Sequence, residues 1–186
     1  MTVLLLSPYP ERLIETILKT DNIAYSPDPF ADRLGVKKFD WIVSYGYRHI
    51  LRGVEHLPPA VNLHISYLPW NKGADPNYWS WRDDTPKGVT IHKIDAGIDT
   101  GPVYAQEQTV FEGKTLTETY EELHRHICRL FLDIWPHIRS GRLQPTRQDR
   151  GGSYHRSSER PPVDWNTEVS DLDCLHGCGY IPKEKD

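Results

Sequence analysis

The chain has 186 residues and a mass of 21.5 kDa, enough to bury one ordinary core without disulfides or structural metals. A formal net charge of -4 and a pI near 6.1 argue against a sequence-independent nucleic-acid binder, which needs a basic surface. Three cysteines (Cys128, Cys174 and Cys178) are too few and odd in number for a disulfide framework, so a reducing, cytoplasmic setting is expected.

The apolar start Met1-Thr2-Val3-Leu4-Leu5-Leu6 has no basic lead-in and ends at Ser7-Pro8, too short for a signal peptide or a membrane span. Residues 3–6 form the continuous apolar run of a strand inside a parallel sheet. Leu13, Ile14, Ile17 and Leu18 then recur at helical spacing after Pro10. A second strand is expected over residues 23–25, followed by a loop with Pro27 and Pro29, and further strands over 39–44 and 61–64. This order predicts an open, mostly parallel α/β sheet flanked by helices. No Gly-x-Gly-x-x-Gly follows the first strand and no Walker lysine occurs, so a phosphate-cradling loop is not expected.

Asp75-Pro76 places a capping residue before a proline, which predicts a short helix over residues 77–82. Residues 88–94 and 103–110 are β-rich and flank a tight turn from Asp95 to Gly101. Thr115-x-x-Glu118 is a capping-box signature. It opens a long helix through Leu116, Tyr120, Leu123, Ile127, Leu130, Phe131 and Ile134, which Pro136 is expected to kink or end. From Arg142 the composition shifts to Arg, Gly, Ser and Pro. The division that follows is a main domain over residues 1–141 and a C-terminal extension, 142–186, packed on or near it.

The block Asn62-x-His64-x-Ser66-x-Leu68-Pro69, followed by Asp95-x-x-x-Asp99-x-Gly101, carries the chemistry. On an extended segment, residues two apart project to the same side, so Asn62 and His64 share a face. An amide donor, an imidazole and a carboxylate suffice for acyl transfer to an amine, whose tetrahedral intermediate bears an oxyanion and whose nitrogen must lose a proton. Three other patterns are weaker. His124 and His126 lie roughly 200° apart around a helix, and Cys174-x-His176-x-Cys178 lacks zinc-ribbon spacing, so no metal is expected. Asp95 and Asp99 could face one pocket as a paired-carboxylate site.

The two blocks, with the intervening Lys72-Gly73 and Gly88-Val89-Thr90, closely resemble the folate-dependent formyltransferase family, which includes the glycinamide ribonucleotide, methionyl-tRNA and sugar N-formyltransferases. The resemblance is close from about Asp40 to about Arg147 and looser from Thr2 to Gly35. It implies a Rossmann-like formyltransferase domain, with 10-formyltetrahydrofolate as the formyl donor and a primary amine as the acceptor. It also implies that Asn62, His64 and Asp99 are the catalytic set. Asn62 and His64 would stabilise the oxyanion, while Asp99 orients His64 and helps remove the proton. Gly46-Tyr47-Arg48-His49-Ile50-Leu51 resembles the pterin-contacting stretch, which makes Tyr47, Arg48, His49 and Ile50 cofactor contacts. Asp95 would shape the loop that borders the folate.

Singly, an asparagine at a strand end, a buried histidine and an aspartate before Thr-Gly are ordinary structural residues. In this order, within this family pattern, they point to function. The string Ser66 to Asn77 resembles both the nucleotide-linked sugar N-formyltransferases and the formylation domains of nonribosomal peptide synthetases. Tyr67, Trp70, Tyr78, Trp79 and Trp81 crowd this region and could stack a base or a sugar face. The acceptor implied is a nucleotide-linked amino sugar. The alternatives are an amino acid or carrier-bound aminoacyl group, or a folate-binding module without turnover. The chain is too short past the resemblance for the β-barrel domain of methionyl-tRNA formyltransferase, which sets transfer RNA low among substrates. No nucleic acid or membrane partner is expected, and family analogy suggests a homodimer.

Overall fold

The computed structural model describes residues 1–19, 21–28 and 35–172. Pro29 and the Cys174, His176, Cys178 group lie outside the described residues. Strands β1 (Thr2–Leu6), β2 (Asn22–Ser26), β3 (Trp41–Tyr45) and β4 (Ala60–His64) pair in parallel. Strands β6 (Gly88–Lys93) and β7 (Val103–Gln108) extend the sheet antiparallel, giving the order β2-β1-β3-β4-β6-β7. Helix α1 (Glu11–Leu18) follows β1, helix α2 (Pro76–Arg82) precedes β6, and helix α3 (Leu116–Arg139) follows β7. A second, two-stranded sheet pairs β5 (Lys72–Gly73) with β8 (Tyr154–His155).

The period of two along each strand splits the sheet into two faces. Val3, Leu5, Val43, Tyr45, Val61, Leu63, Val89 and Ile91 pack in one core cluster with Leu13 and Ile17 of α1 and Leu123, Ile127 and Phe131 of α3. The alternate positions Leu4, Leu6, Ile42 and Ala60 pack with Val36 in a smaller cluster on the opposite face. That thinner cover leaves room at the carboxyl end of β4 for polar side chains.

The capping box of α3 forms as expected: Thr115 Oγ1 accepts from Glu118 N at 3.3 Å, and Thr115 N donates to Glu118 Oε2 at 2.8 Å. Pro136 does not end α3, which continues to Arg139. The last turn is held by tertiary contacts that outweigh the proline penalty: Trp135 Nε1 and Arg139 Nη1 both donate to the carboxylate of Asp21, each at 3.2 Å. Asp75 also departs from expectation. It precedes Pro76 at φ +51 without a side-chain cap, and its carboxylate instead accepts from Arg160 Nε at 2.8 Å.

Residues beyond 141 return across the molecule. Val103 and Thr146 exchange backbone hydrogen bonds of 2.7 and 2.8 Å, and Val169 N donates to Lys114 O at 2.9 Å. Val169 and Leu172 join the larger core.

Asp21→Ala leaves the indole N–H of Trp135 and the guanidinium of Arg139 without their shared acceptor. The expected loss is about 2–3 kcal/mol of unfolding free energy, measured by urea denaturation. A loss under about 0.5 kcal/mol would show that this contact does not hold the end of α3.

Candidate active site

Strand alternation puts Asn62 and His64 of β4 on the thinly covered face. Across the antiparallel pair, Asn62 faces His92 and His64 faces Thr90, so these four side chains share that face. The register slips between Ile91 and His92, an irregularity of the kind that re-aims a side chain next to a site.

Asp99 arrives from the turn between β6 and β7. Asp95 organises this turn, its Oδ1 accepting from Thr100 Oγ1 at 2.7 Å and from Gly97 N at 3.1 Å. At Gly101, a β-carbon would lie 1.7 Å from the carbonyl oxygen of Lys93, so only glycine allows the turn to close this tightly. Asp99 itself adopts φ +53, a left-handed conformation that aspartate tolerates better than most residues.

The Asp99 carboxylate gathers the site. Its Oδ1 accepts from Asn62 Nδ2 at 3.0 Å and lies 3.3 Å from His92 Nε2. Its Oδ2 accepts from Gly73 N at 2.8 Å and lies 3.7 Å from His64 Nδ1. The side chain is 11% exposed. Burial by itself would favour the protonated acid, but His64, His92 and the Gly73 N–H together hold Asp99 well below the usual carboxylate range.

Two backbone carbonyls orient the two rings. His64 Nε2 lies 3.0 Å from Asn71 O, and because a carbonyl only accepts, that nitrogen carries a proton. Its Nδ1 is left facing Asp99. His92 Nδ1 likewise meets Lys93 O at 2.9 Å, which leaves Nε2 toward Asp99 and 3.3 Å from Asn62 Nδ2. His92 was not among the residues that sequence reasoning singled out. Its only signal is the strand register, which a sequence does not display.

Tyr47 packs with Leu51, Leu57 and Ile94 against the smaller core cluster, on the same face as Asn62 and His64. Its hydroxyl donates to Asp28 O at 2.7 Å. Arg48, His49 and Ile50 follow on an exposed loop. Among the aromatics, Tyr78 and Trp81 belong to the core, and Trp79 stacks on His155 with ring centroids 4.1 Å apart. Tyr67 is half-buried and Trp70 exposed, so these two are the ones left to meet a ligand.

His124 is buried against the Tyr45 hydroxyl on the α3 side, and His126 pairs with Glu107 and Thr109. Among the described residues no group of three or more His, Cys, Asp or Glu side chains could hold a metal ion. No helix among them is long and apolar enough to cross a membrane.

A family model described as formyl transferase matches residues 12–133. The chain is 30% identical over 140 residues to the methionyl-tRNA formyltransferase of Dictyoglomus turgidum, a match covering 72% of this chain and 44% of that relative's length. Among solved structures it is similar to the formyltransferase PseJ of Anoxybacillus kamchatkensis, which was crystallised with UDP-4,6-dideoxy-4-formamido-L-AltNAc and tetrahydrofolate. There the identity is 40% and the TM-score 0.85, covering 92% of this chain and 97% of PseJ. Rv3404c of Mycobacterium tuberculosis shares the fold at 21% identity and TM-score 0.77, covering 94% of this chain and 83% of its own.

Because its folded-state proton affinity is depressed, Asp99 stabilises the fold wherever it is ionised. That contribution is present above the unfolded value of about 4 and is lost as pH falls below it. The side-chain carboxyl carbon of Asp99 is therefore expected to show no titration by NMR between pH 8 and about pH 4. A midpoint above about pH 4 would contradict the electrostatics described above.

Proposed function

The chain belongs to the formyl transferase family, and we propose that it transfers a formyl group from 10-formyltetrahydrofolate to the amine of a nucleotide-linked amino sugar. The observation that carries this reading is the meeting of Asn62, His64 and Asp99 around one buried carboxylate. It is supported by 40% identity, over nearly the whole of PseJ, to an enzyme crystallised with a UDP-linked 4-formamido sugar and tetrahydrofolate. The acceptor proposed is accordingly the C4 amine of a UDP-linked 4-amino-4,6-dideoxy sugar. The half-buried apolar group of Tyr47, Leu51 and Ile94 beside the site suits the flat pterin of the donor.

In this reading the neutral amine attacks the formyl carbon. A new C–N bond forms, the carbonyl oxygen gains charge, and the bond to the folate nitrogen then breaks as that nitrogen takes up a proton. One N–H of Asn62 is committed to Asp99, and the second serves the developing oxyanion. In the structure that second N–H lies toward His92 Nε2, 3.3 Å away, and it turns from the ring to the oxyanion as the charge develops. His64 holds Nε2–H on Asn71 O, so Nδ1 is the atom that takes the amine's proton or bears the charge beside the oxyanion. Asp99 is too weak a base to keep that proton. Its role is to orient His64, whose Nδ1 lies 3.7 Å from Asp99 Oδ2.

The identity to a methionyl-tRNA formyltransferase favours an aminoacyl amine as the second reading. The net charge of -4 weighs against RNA as its carrier.

The test is incubation with 10-formyltetrahydrofolate and a panel of UDP- and dTDP-linked amino sugars, following release of tetrahydrofolate. Turnover is expected with a UDP-linked 4-amino sugar, and Asn62→Ala should lower kcat by about a hundredfold or more. Turnover of an aminoacyl amine with none of the sugars would transfer the assignment to the second reading. Folate binding without turnover of any amine would leave a binding module.

A further inference from the structure

We infer that Gln148 and Ser153, from the segment beyond the part matched by the family model, are positioning residues of the catalytic site. They act through the backbone carbonyls of Asp99 and Asn71. This rests on the reading of Asn62, His64 and Asp99 as the catalytic set.

Asn71 is fully buried and sits at φ +55, a left-handed conformation that asparagine tolerates better than most residues. The surroundings are specific. Ser153 Oγ accepts from Asn71 N at 2.8 Å and donates to Asn71 Oδ1 at 3.0 Å. Asn71 Nδ2 donates to Thr85 Oγ1 at 2.7 Å. One serine hydroxyl thus closes a ring on the main chain and side chain of Asn71 together. With these groups tied, the Asn71 carbonyl has a single direction, and that direction is the one that receives Nε2–H of His64 at 3.0 Å. Ser153 therefore sets which ring nitrogen of His64 is protonated, although it does not touch the ring.

Gln148 acts in the same way on the other partner. Its Nε2 donates to Asp99 O at 2.9 Å and to Gly101 O at 2.7 Å, pinning both ends of the short stretch that presents the carboxylate. The chain between the two residues is held against the β4–α2 connection. Lys72 Nζ donates to Gly151 O at 3.2 Å, and Lys72 N donates to Ser153 O at 3.0 Å. At Gly152 a β-carbon would lie 1.9 Å from Pro69 O, and φ is +85, so this close approach is open to glycine alone.

The test reads the His64 ring directly, by long-range proton–nitrogen NMR on protein labelled at histidine, together with kcat for the proposed reaction. Wild type is expected to show His64 protonated at Nε2 when neutral. Ser153→Ala should give a mixture of tautomers and lower kcat roughly ten- to a hundredfold with little change in KM for the folate. Ser153→Thr, which keeps the hydroxyl, should restore both. Gln148→Leu should lower kcat while leaving the His64 tautomer unchanged. The ring of His126, which pairs with Glu107 away from the site, reports that each variant is folded. If Ser153→Ala does not fold, Ser153→Cys carries the same comparison, since a thiol keeps the volume but is a poor hydrogen-bonding group. An unchanged His64 tautomer and kcat in the serine variant would overturn the role of Ser153, and wild-type kcat in Gln148→Leu would overturn that of Gln148. The ring measurement needs no substrate. A shifted tautomer in a protein that formylates no amino sugar would therefore leave the positioning role standing and remove the acceptor assignment.

Discussion

A carboxylate that is almost wholly removed from water must be compensated where it sits, and Asp99 is that carboxylate. Transfer of an unpaired charge into a protein interior costs several kcal/mol even after relaxation. Asp99 meets this cost with an amide from β4, a backbone N–H from β5, and imidazoles from β4 and β6. Each of these elements comes from a different stretch of chain, and their common partner explains why they converge. The same four contacts that make the charge tolerable aim Asn62 and His64 at one place, so the stability of the fold and the geometry of the site depend on one interaction here.

The sheet makes this arrangement possible by dividing its labour between faces. One face carries an unbroken apolar layer, Val3, Leu5, Val43, Val61, Leu63, Val89 and Ile91, under two helices. The other has a small apolar cluster and then, at the carboxyl end of β4, polar residues whose hydrogen bonds are met locally. Open α/β sheets present ligands at the carboxyl ends of their strands, and here the antiparallel β6 adds Thr90 and His92 to that end. Thr90 Oγ1 accepts from Leu68 N at 3.1 Å and donates to Ser66 O at 2.7 Å. The loop carrying Ser66, Leu68 and Asn71 is thereby fastened to the sheet.

Much of this was legible in the residues, for physical reasons that apply to each case. The short apolar run after Met1 reads best as a buried strand, Thr115 and Glu118 form their reciprocal cap within four residues, and side-chain alternation alone puts Asn62 and His64 on one side. Local rules succeed where the interaction is local. They fail where the partner is distant in sequence. His92 is recognisable only once β4 and β6 are paired in register. Gln148 and Ser153 reach the backbone of Asp99 and Asn71 across more than forty residues, through main-chain groups that have no side-chain signature. Asp75 reads as a cap until Arg160 is seen to claim its carboxylate, and Pro136 reads as a terminator until Asp21 is seen to hold the turn beyond it. The aromatic cluster is a subtler case. Composition suggested a stacking surface, but Tyr78 and Trp81 are needed by the core and Trp79 by His155.

The central claim is that donor and acceptor meet on the face of the sheet where Asp99 gathers Asn62, His64 and His92. A crystal structure of the protein with tetrahydrofolate and a UDP-linked 4-formamido sugar tests it most directly. The account predicts the formamide oxygen within about 3 Å of Asn62 Nδ2, with the pterin against Tyr47, Leu51 and Ile94. Ligands bound on the α3 face of the sheet, or a formamide oxygen beyond hydrogen-bonding reach of both Asn62 and His64, would contradict it.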